Sequence, residues 1–197
     1  MSGTRLNPLV GIARLARGRV DGLAQFGATP QSFLASLAPL IAFPLVGTAL
    51  MLNRVGLEGA LALLLFSVVA QLAPPVLSHA IARYWDREDW WCRYATAFNW
   101  CQCALPLVAI PLAIGMQVAV GLGVSADGAL RLGVVVFVGY VLWLQWLLAR
   151  HGLDLSRGRA AVVVGLVNAG TFVLAVGPLL LMGWLGTGSP DSGLPTG

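Results

Sequence analysis

The sequence predicts an all-α, polytopic membrane protein, a bundle of five transmembrane helices preceded by an interfacial amphipathic helix. Hydrophobic residues make up 58% of the 197 residues and charged residues only 10%, whereas an ordinary soluble domain carries about 25% charged residues. Five blocks stay apolar over the roughly 20 residues that a helix needs to cross a bilayer. Their apolar residues are continuous and do not alternate with period two, which favours helices over strands. This composition argues against soluble enzymes, disordered regulators and disulfide-rich secreted domains.

Residues 1–31 are expected to form a cytoplasmic segment with an amphipathic helix at the membrane surface. Arginines interrupt the stretch that would be the apolar core of a signal peptide, so a cleaved signal is not expected. One helical face carries Arg14, Arg17 and Asp21, and we expect Arg14, Arg17 and Arg19 to contact lipid phosphates. The alternative is a loosely ordered tail, since glycines weaken the helix. The apolar stripe consists of Leu6, Leu9, Ala13, Ala16, Val20 and Leu23.

The five apolar blocks define a transmembrane domain at residues 32–185. Thr29 is placed to cap the first helix, and Pro30 fits the first turn, where no amide donor is lost. After the last block, residues 186–197 are polar and rich in Gly and Pro, which predicts a disordered tail outside the membrane. The blocks run over 32–52, 59–79, 96–124, 132–149 and 160–185.

All 12 basic residues are arginines, and their distribution predicts the orientation of the chain. Ten of them precede the first block, or lie between the second and third or the fourth and fifth blocks. Only Arg54 and Arg131 fall on the other side. Because basic loops stay in the cytoplasm, the sequence predicts a multi-pass membrane protein with its N-terminus in the cytoplasm and its C-terminus outside. Arginines scattered between apolar blocks give no reason to expect nucleic acid as a partner.

The connection between the second and third blocks, residues 79–94, is the densest polar segment. Its tryptophans suit the aromatic belt at a membrane surface, where we expect them to contact lipid headgroups. Asp86, Glu88 and Asp89 are expected to pair with nearby arginines. The alternative, a divalent-metal cluster, would need a second group of ligands that the sequence does not offer. The tryptophans are Trp85, Trp90 and Trp91.

No cofactor, metal or catalytic constellation is expected, and neither Gly-x-Ser-x-Gly nor His-Glu-x-x-His occurs. His79 and His151 fall at the cytoplasmic ends of predicted spans. An alternative has them bind haem or quinone in a subunit of a redox or photosynthetic complex. The cysteines lack the spacing of zinc or iron–sulfur sites, and we expect them to pack between helices. They are Cys92, Cys101 and Cys103.

The predicted spans contain no Asp, Glu, Lys or Arg, which argues against an ion-coupled pump. Several spans contain prolines that bend a helix, so a small transporter or channel with a neutral-lined pathway is a further alternative. Uncharged polar residues in the spans are expected to bond neighbouring helices, each contact contributing about 0.6–2 kcal/mol. The candidates for these interhelical contacts are Gln71, Asn99, Gln102, Gln145 and Asn168, and Gln117, Tyr140 and Thr171 share their character.

Two short motifs carry a resemblance to a known family. Thr-Pro-Gln-Ser-Phe at 29–33 and Arg-Tyr-Ala-Thr-Ala-Phe-Asn-Trp at 93–100, together with five spans, resemble small alphaproteobacterial inner-membrane proteins whose layout is similar to the Yip1 superfamily. The resemblance covers about residues 28–185. It implies a non-enzymatic organiser or assembly partner of other membrane components, with the lipid bilayer and further copies or other membrane proteins as partners. It supplies no catalytic residues, and the prenylated GTPases that eukaryotic members bind do not carry over to a bacterium.

Overall fold

The computed structural model describes residues 6–187, with side chains as far as residue 177, and these residues form helices and no strand. The predicted all-α class is therefore confirmed. Four of the helices, α2 to α5, are long and apolar enough to cross a membrane. The elements are α1 (Pro8–Leu15), a 3-10 helix (Val20–Gln25), α2 (Pro30–Tyr84), α3 (Glu88–Gly121), α4 (Ala126–Gly152) and α5 (Arg157–Thr187).

Helix α2 holds both of the first two predicted spans, and it is interrupted at one residue. Gly56 has φ 71° and ψ 176°, a backbone conformation that residues other than glycine rarely adopt. A straight helix of 55 residues would be about 80 Å long. The rings of Phe33 and His79 nevertheless both lie on Trp91, with centroid distances of 4.8 and 4.6 Å. The chain therefore reverses at Gly56 into two antiparallel limbs, limb A (30–55) and limb B (57–84).

Residues 53–58, between the first two apolar blocks, have the composition of a loop. In the structure both limbs remain helical up to Gly56, so no loop separates them. A single glycine with positive φ reverses the chain, so the polar residues around it stay in helical turns. Helices α2 and α3 otherwise run without interruption through their prolines. The start of α2 is as predicted: Thr29 Oγ1 accepts a hydrogen bond from the amide of Ser32 at 3.2 Å, and Pro30 occupies the first turn.

The N-terminal segment is shorter as a helix than the predicted stripe, which extends to Leu23. Helix α1 ends at Leu15, and the chain turns at Gly18, whose φ is 77°. Glycine is the usual residue at such a helix end because it has no Cβ to clash. The stripe is thus divided between α1 and the 3-10 helix, and Leu23 packs in the core with Leu15.

The predicted polar connection at 79–94 is mostly helical, because α2 continues to Tyr84 and α3 begins at Glu88. Asp86 has φ 56° and Asp154, in the turn after α4, has φ 51°. In both turns the amide one residue later bonds the carbonyl five residues back, Arg87 to Ala82 at 2.8 Å and Leu155 to Arg150 at 2.9 Å. These are Schellman caps, with aspartate at the position that glycine usually occupies.

Most of the buried core lies at one end of the bundle. We call this the arginine-rich end and define it as residues 6–29, 78–101 and 144–163. The opposite end comprises residues 45–58 and 112–132. Helix α5 continues to Thr187, and the remainder of the predicted tail, residues 188–197, lies outside the described residues.

Candidate functional site at the arginine-rich end

Trp91 connects three helical segments at the arginine-rich end. Its indole Nε1 donates a hydrogen bond to Ser78 Oγ at 3.2 Å, and Ser78 in turn donates to the carbonyl of Pro75 at 3.0 Å. Phe33 packs on the same ring from limb A, and His79 meets it edge-on from limb B. The indole therefore closes the hairpin against α3. Trp91 is partly buried, with one side of its ring packed between these helical segments.

The other two tryptophans of this segment differ in exposure, since Trp85 is partly buried and Trp90 is exposed. The Arg159 guanidinium lies 5.6 Å from the centroid of the Trp85 ring, a cation–π contact between the ends of α2 and α5. Trp90 is 43% exposed. Of the three predicted headgroup contacts, Trp90 is the one whose side chain is classed as exposed.

The two capped turns are joined by an ion pair. Arg87 Nη1 lies 3.2 Å from Asp154 Oδ2, and both side chains remain partly accessible to solvent. Close to this pair, α3 and α4 approach so tightly that a Cβ added to Gly152 would lie 3.1 Å from the Tyr94 side chain. The two turns are therefore fixed relative to each other by packing as well as by charge.

Of the three acidic residues of the polar segment, Glu88 is the one that forms an ion pair with an arginine among the described residues. Arg83 Nε is 3.6 Å from Glu88 Oε1, while Arg87 pairs with the distant Asp154. Asp86, Glu88, Asp89 and Arg83 surround an open polar cavity of about 380 Å³. Among the described residues, no group of three or more His, Cys, Asp or Glu side chains is arranged to hold a metal ion.

The basic residues of the N-terminal segment differ in their partners. Asp21 pairs with Arg14 at 3.2 Å and with Arg19 at 2.9 Å, and the Arg19 hydrogen bond holds the pKa of this carboxyl below its ordinary value. Arg17, four residues from Asp21, donates instead to the carbonyl of Ala13 at 3.3 Å. Arg17 therefore has one backbone contact and leaves most of its donors free.

Asn99 makes a fully buried polar contact between two helices. Its Nδ2 donates to Ser36 Oγ of limb A at 2.9 Å, and Ser36 donates onward to the carbonyl of Phe33 at 2.6 Å. Both side chains have no exposed surface, and Asn99 Oδ1 has no partner within the described residues. Ser36 is missing from the sequence-based candidates because one hydroxyl in an apolar block gives no signal about its direction.

The remaining polar candidates fall into two groups. Asn168 Nδ2 donates to Gln145 Oε1 at 2.6 Å and so connects α5 to α4. Gln102 lines a small cavity with Gln145, and Gln71 is half-buried, but neither makes a side-chain hydrogen bond within residues 6–177. Gln117 was expected to face the bundle, yet its side chain is exposed at the opposite end.

The cysteines are free thiols at different depths. Cys101 is buried in the core, whereas Cys92 and Cys103 are half-buried. Cys103 lines an apolar groove of about 480 Å³ bounded by α1, limb A and α3. No feature of the sequence pattern points to this groove.

Comparison with known proteins gave no match to any family model, and no significant match to a curated protein or to a solved structure.

Proposed function

We propose that the chain is a five-span protein of the bacterial inner membrane, with limbs A and B as separate spans and the arginine-rich end in the cytoplasm. Each limb has more than the roughly 20 residues that a bilayer requires, and the contacts on Trp91 support an antiparallel pair. The excess of arginines at one end supports the orientation. On this proposal α1 lies at the cytoplasmic surface as an amphipathic helix, and the C-terminus is periplasmic.

Topology can be tested on the intact chain with single cysteines. In a background that lacks the three native cysteines, Arg54→Cys should react with a membrane-impermeant maleimide added outside spheroplasts, and Arg157→Cys should not. The converse labelling would overturn the orientation. If neither cysteine is labelled from outside, the proposal that the reversal at Gly56 reaches the periplasmic surface is contradicted.

Within this topology, we propose a non-enzymatic role as an organiser or assembly partner of other membrane components, with a Yip1-like layout. The contrast within α3 carries the proposal. Its buried residues all lie between Tyr94 and Cys101, and within 102–121 no residue is buried. One end is therefore a rigid platform built by the chain itself, while the other end offers apolar helix faces to lipids, to further copies or to other membrane proteins.

Purification in a mild detergent tests this role. We expect light scattering on the eluted protein to show a homo-oligomer, or mass spectrometry to show a stable membrane-protein partner. Gly115→Leu should weaken that association, because Gly115 is on the open part of α3, where an added Cβ would meet no packed neighbour within 4 Å. Gly158→Leu, equally open near the start of α5, serves as the matched control. Monomers without partners would contradict the proposal, and a Soret band or solute flux in vesicles would favour the redox or transport alternatives instead.

A further inference from the structure

The apolar groove has the size and composition of a ligand site. Its volume of about 480 Å³ lies within the range of about 300–1,000 Å³ that small-molecule sites occupy. Ile12, Ala13 and Ala16 of α1 form one wall, and Phe43 of limb A forms another. Helix α3 completes the groove with Trp100 and Cys103.

The wall formed by α1 is fixed to the bundle. Tyr140 of α4 donates its hydroxyl to the carbonyl of Ala16 at 3.1 Å. The turn at Gly18 packs against Trp143, and a Cβ added to Gly18 would lie 3.2 Å from the Trp143 ring. Since α1 is held by α4, the groove between α1 and α3 is part of the fold.

The positive charge of Arg17 at the rim of the groove indicates the chemistry of a ligand that would fit there. Arg17 reaches the carbonyl of Ala13, a residue whose side chain lines the groove, at 3.3 Å. Arg14 and Arg19 both pair with Asp21, whose single negative charge offsets part of theirs, whereas Arg17 makes no salt bridge within the described residues. An exposed guanidinium at the mouth of an apolar recess is complementary to a phosphate joined to a hydrocarbon chain.

The groove is also continuous with the surface that faces lipid in the proposed topology. Phe43 is 60% exposed at its edge, and Leu107 of α3 is 69% exposed at the same recess. An acyl chain can therefore enter sideways without leaving an apolar environment. A soluble peptide would have to cross the headgroup layer to reach the same surface.

We propose that this groove binds one acyl chain of an anionic phospholipid from the arginine-rich leaflet, with the lipid phosphate on Arg17. The inference rests on the proposed membrane topology and adds to it a defined lipid site. It differs from general contact with the bilayer because one lipid is held by one cation and one recess. Cys103 provides a reporter inside that recess.

Native mass spectrometry of the full chain, with phosphatidylglycerol added, tests the site. We expect Arg17→Gln to reduce the lipid-bound fraction on the order of tenfold, the effect of losing one charge-assisted contact. Arg131→Gln removes the same charge at the opposite end, where Arg131 pairs with Asp127 at 2.8 Å, and should leave lipid binding unchanged. Ala104→Phe, which fills the groove from α3, should reduce binding without a change of charge. Equal retention by all four proteins would overturn the proposal.

A second measurement does not depend on the groove-filling variant folding. With Cys92 and Cys101 replaced by serine, phosphatidylglycerol should slow the reaction of Cys103 with N-ethylmaleimide, and Arg17→Gln should abolish this protection. Protection that is equal with phosphatidylcholine and insensitive to Arg17 would show generic lipid contact and contradict the site. The labelling of Arg54→Cys reports topology separately, so an absent lipid site is distinguishable from a wrong topology.

Discussion

Helix α3 is packed at its beginning and open over the rest of its length, and the two ends of the whole molecule differ in the same way. At the arginine-rich end Ala95 and Ala97 of α3 have 1% and 0% exposed surface, and Ala149 of α4 and Ala160 of α5 have none. At the opposite end the side chains are long and aliphatic: Ile114 is 59% exposed. Small residues let helices approach closely, whereas an exposed large apolar residue loses only packing contacts, and no hydrophobic free energy, when the solvent is itself hydrocarbon.

The comparison teaches where this chain specifies its own structure. Between apolar helices in a bilayer, stability comes from close packing and from polar contacts. Both are concentrated at the arginine-rich end, where Asn99 bonds Ser36 and Trp91 bonds Ser78. At the opposite end the chief specified feature of the described residues is the reversal at Gly56.

Truncating one leucine at each end should show the largest difference. Leu148→Ala removes a side chain that is 1% exposed, and we expect a loss of about 2–5 kcal/mol in the free energy of unfolding. Leu130→Ala, on the same helix but 57% exposed, should change the free energy by less than about 0.5 kcal/mol. Unfolding by SDS in mixed micelles measures both, and equal losses would remove the distinction between the ends.

The reversal at Gly56 should be the sensitive point of the opposite end. Gly56→Ala places a Cβ at φ 71° and should cost about 1–3 kcal/mol. Gly47→Ala, in limb A with open space around it, should stabilise the helix by about 0.5–1 kcal/mol. The same unfolding titration applies, and a Gly56 variant as stable as the parent would contradict a strained reversal.

The buried hydrogen bond of Asn99 should contribute more to the free energy of unfolding than a polar side chain on the exposed part of the same helix. Asn99→Leu is expected to cost about 0.6–2 kcal/mol, and Ser36→Ala should add little to it because both remove one contact. Gln117→Leu, at an exposed position, is the control and should be neutral or stabilising in detergent. Additive losses from Asn99 and Ser36 would show that they do not act as a pair.

The ion pair between the two turns should have the smallest effect. Asp154→Asn keeps a residue that tolerates positive φ but removes the negative charge that pairs with Arg87, so we expect a cost of about 0–1 kcal/mol that disappears at high salt. Asp86→Asn makes the same change at the equivalent cap position, where the structure shows no salt bridge among the described residues. If the stabilities of the two variants respond identically to salt, the Arg87–Asp154 ion pair contributes nothing to the free energy of unfolding.

The class of the fold and the apolar helices were predictable because hydropathy is a property of each segment alone. A reversal between the first two blocks followed from the same pattern, but its execution by Gly56 alone did not, since Arg54 and Glu58 beside a glycine have the composition of a loop. The arginine contacts of Asp21 were also missed: the end of α1 at Leu15 brings Arg14 and Arg19 to it instead of Arg17.

For the candidate site, sequence reasoning found residue types but not their partners. Asn99 was singled out as a polar residue in an apolar helix, but Ser36 lies 63 residues away and is chosen by tertiary packing. The contacts of Trp91 with Phe33 and Ser78 depend on the hairpin packing against α3, so the sequence alone does not give them. The groove is formed by three segments distant in sequence, so no local pattern predicts it.

The glycine reversal in α2 also bears on how the protein enters its membrane. In the proposed topology, limbs A and B are joined by a single non-helical residue, so neither can complete its crossing while the other is still in water. They must enter the bilayer together, as one insertion unit. The charges nearest its leading tip, Arg54 and Glu58, have opposite signs and stand two residues on either side of Gly56. When this hairpin inserts, therefore, the part that crosses the membrane carries almost no net charge and includes no hydrophilic loop.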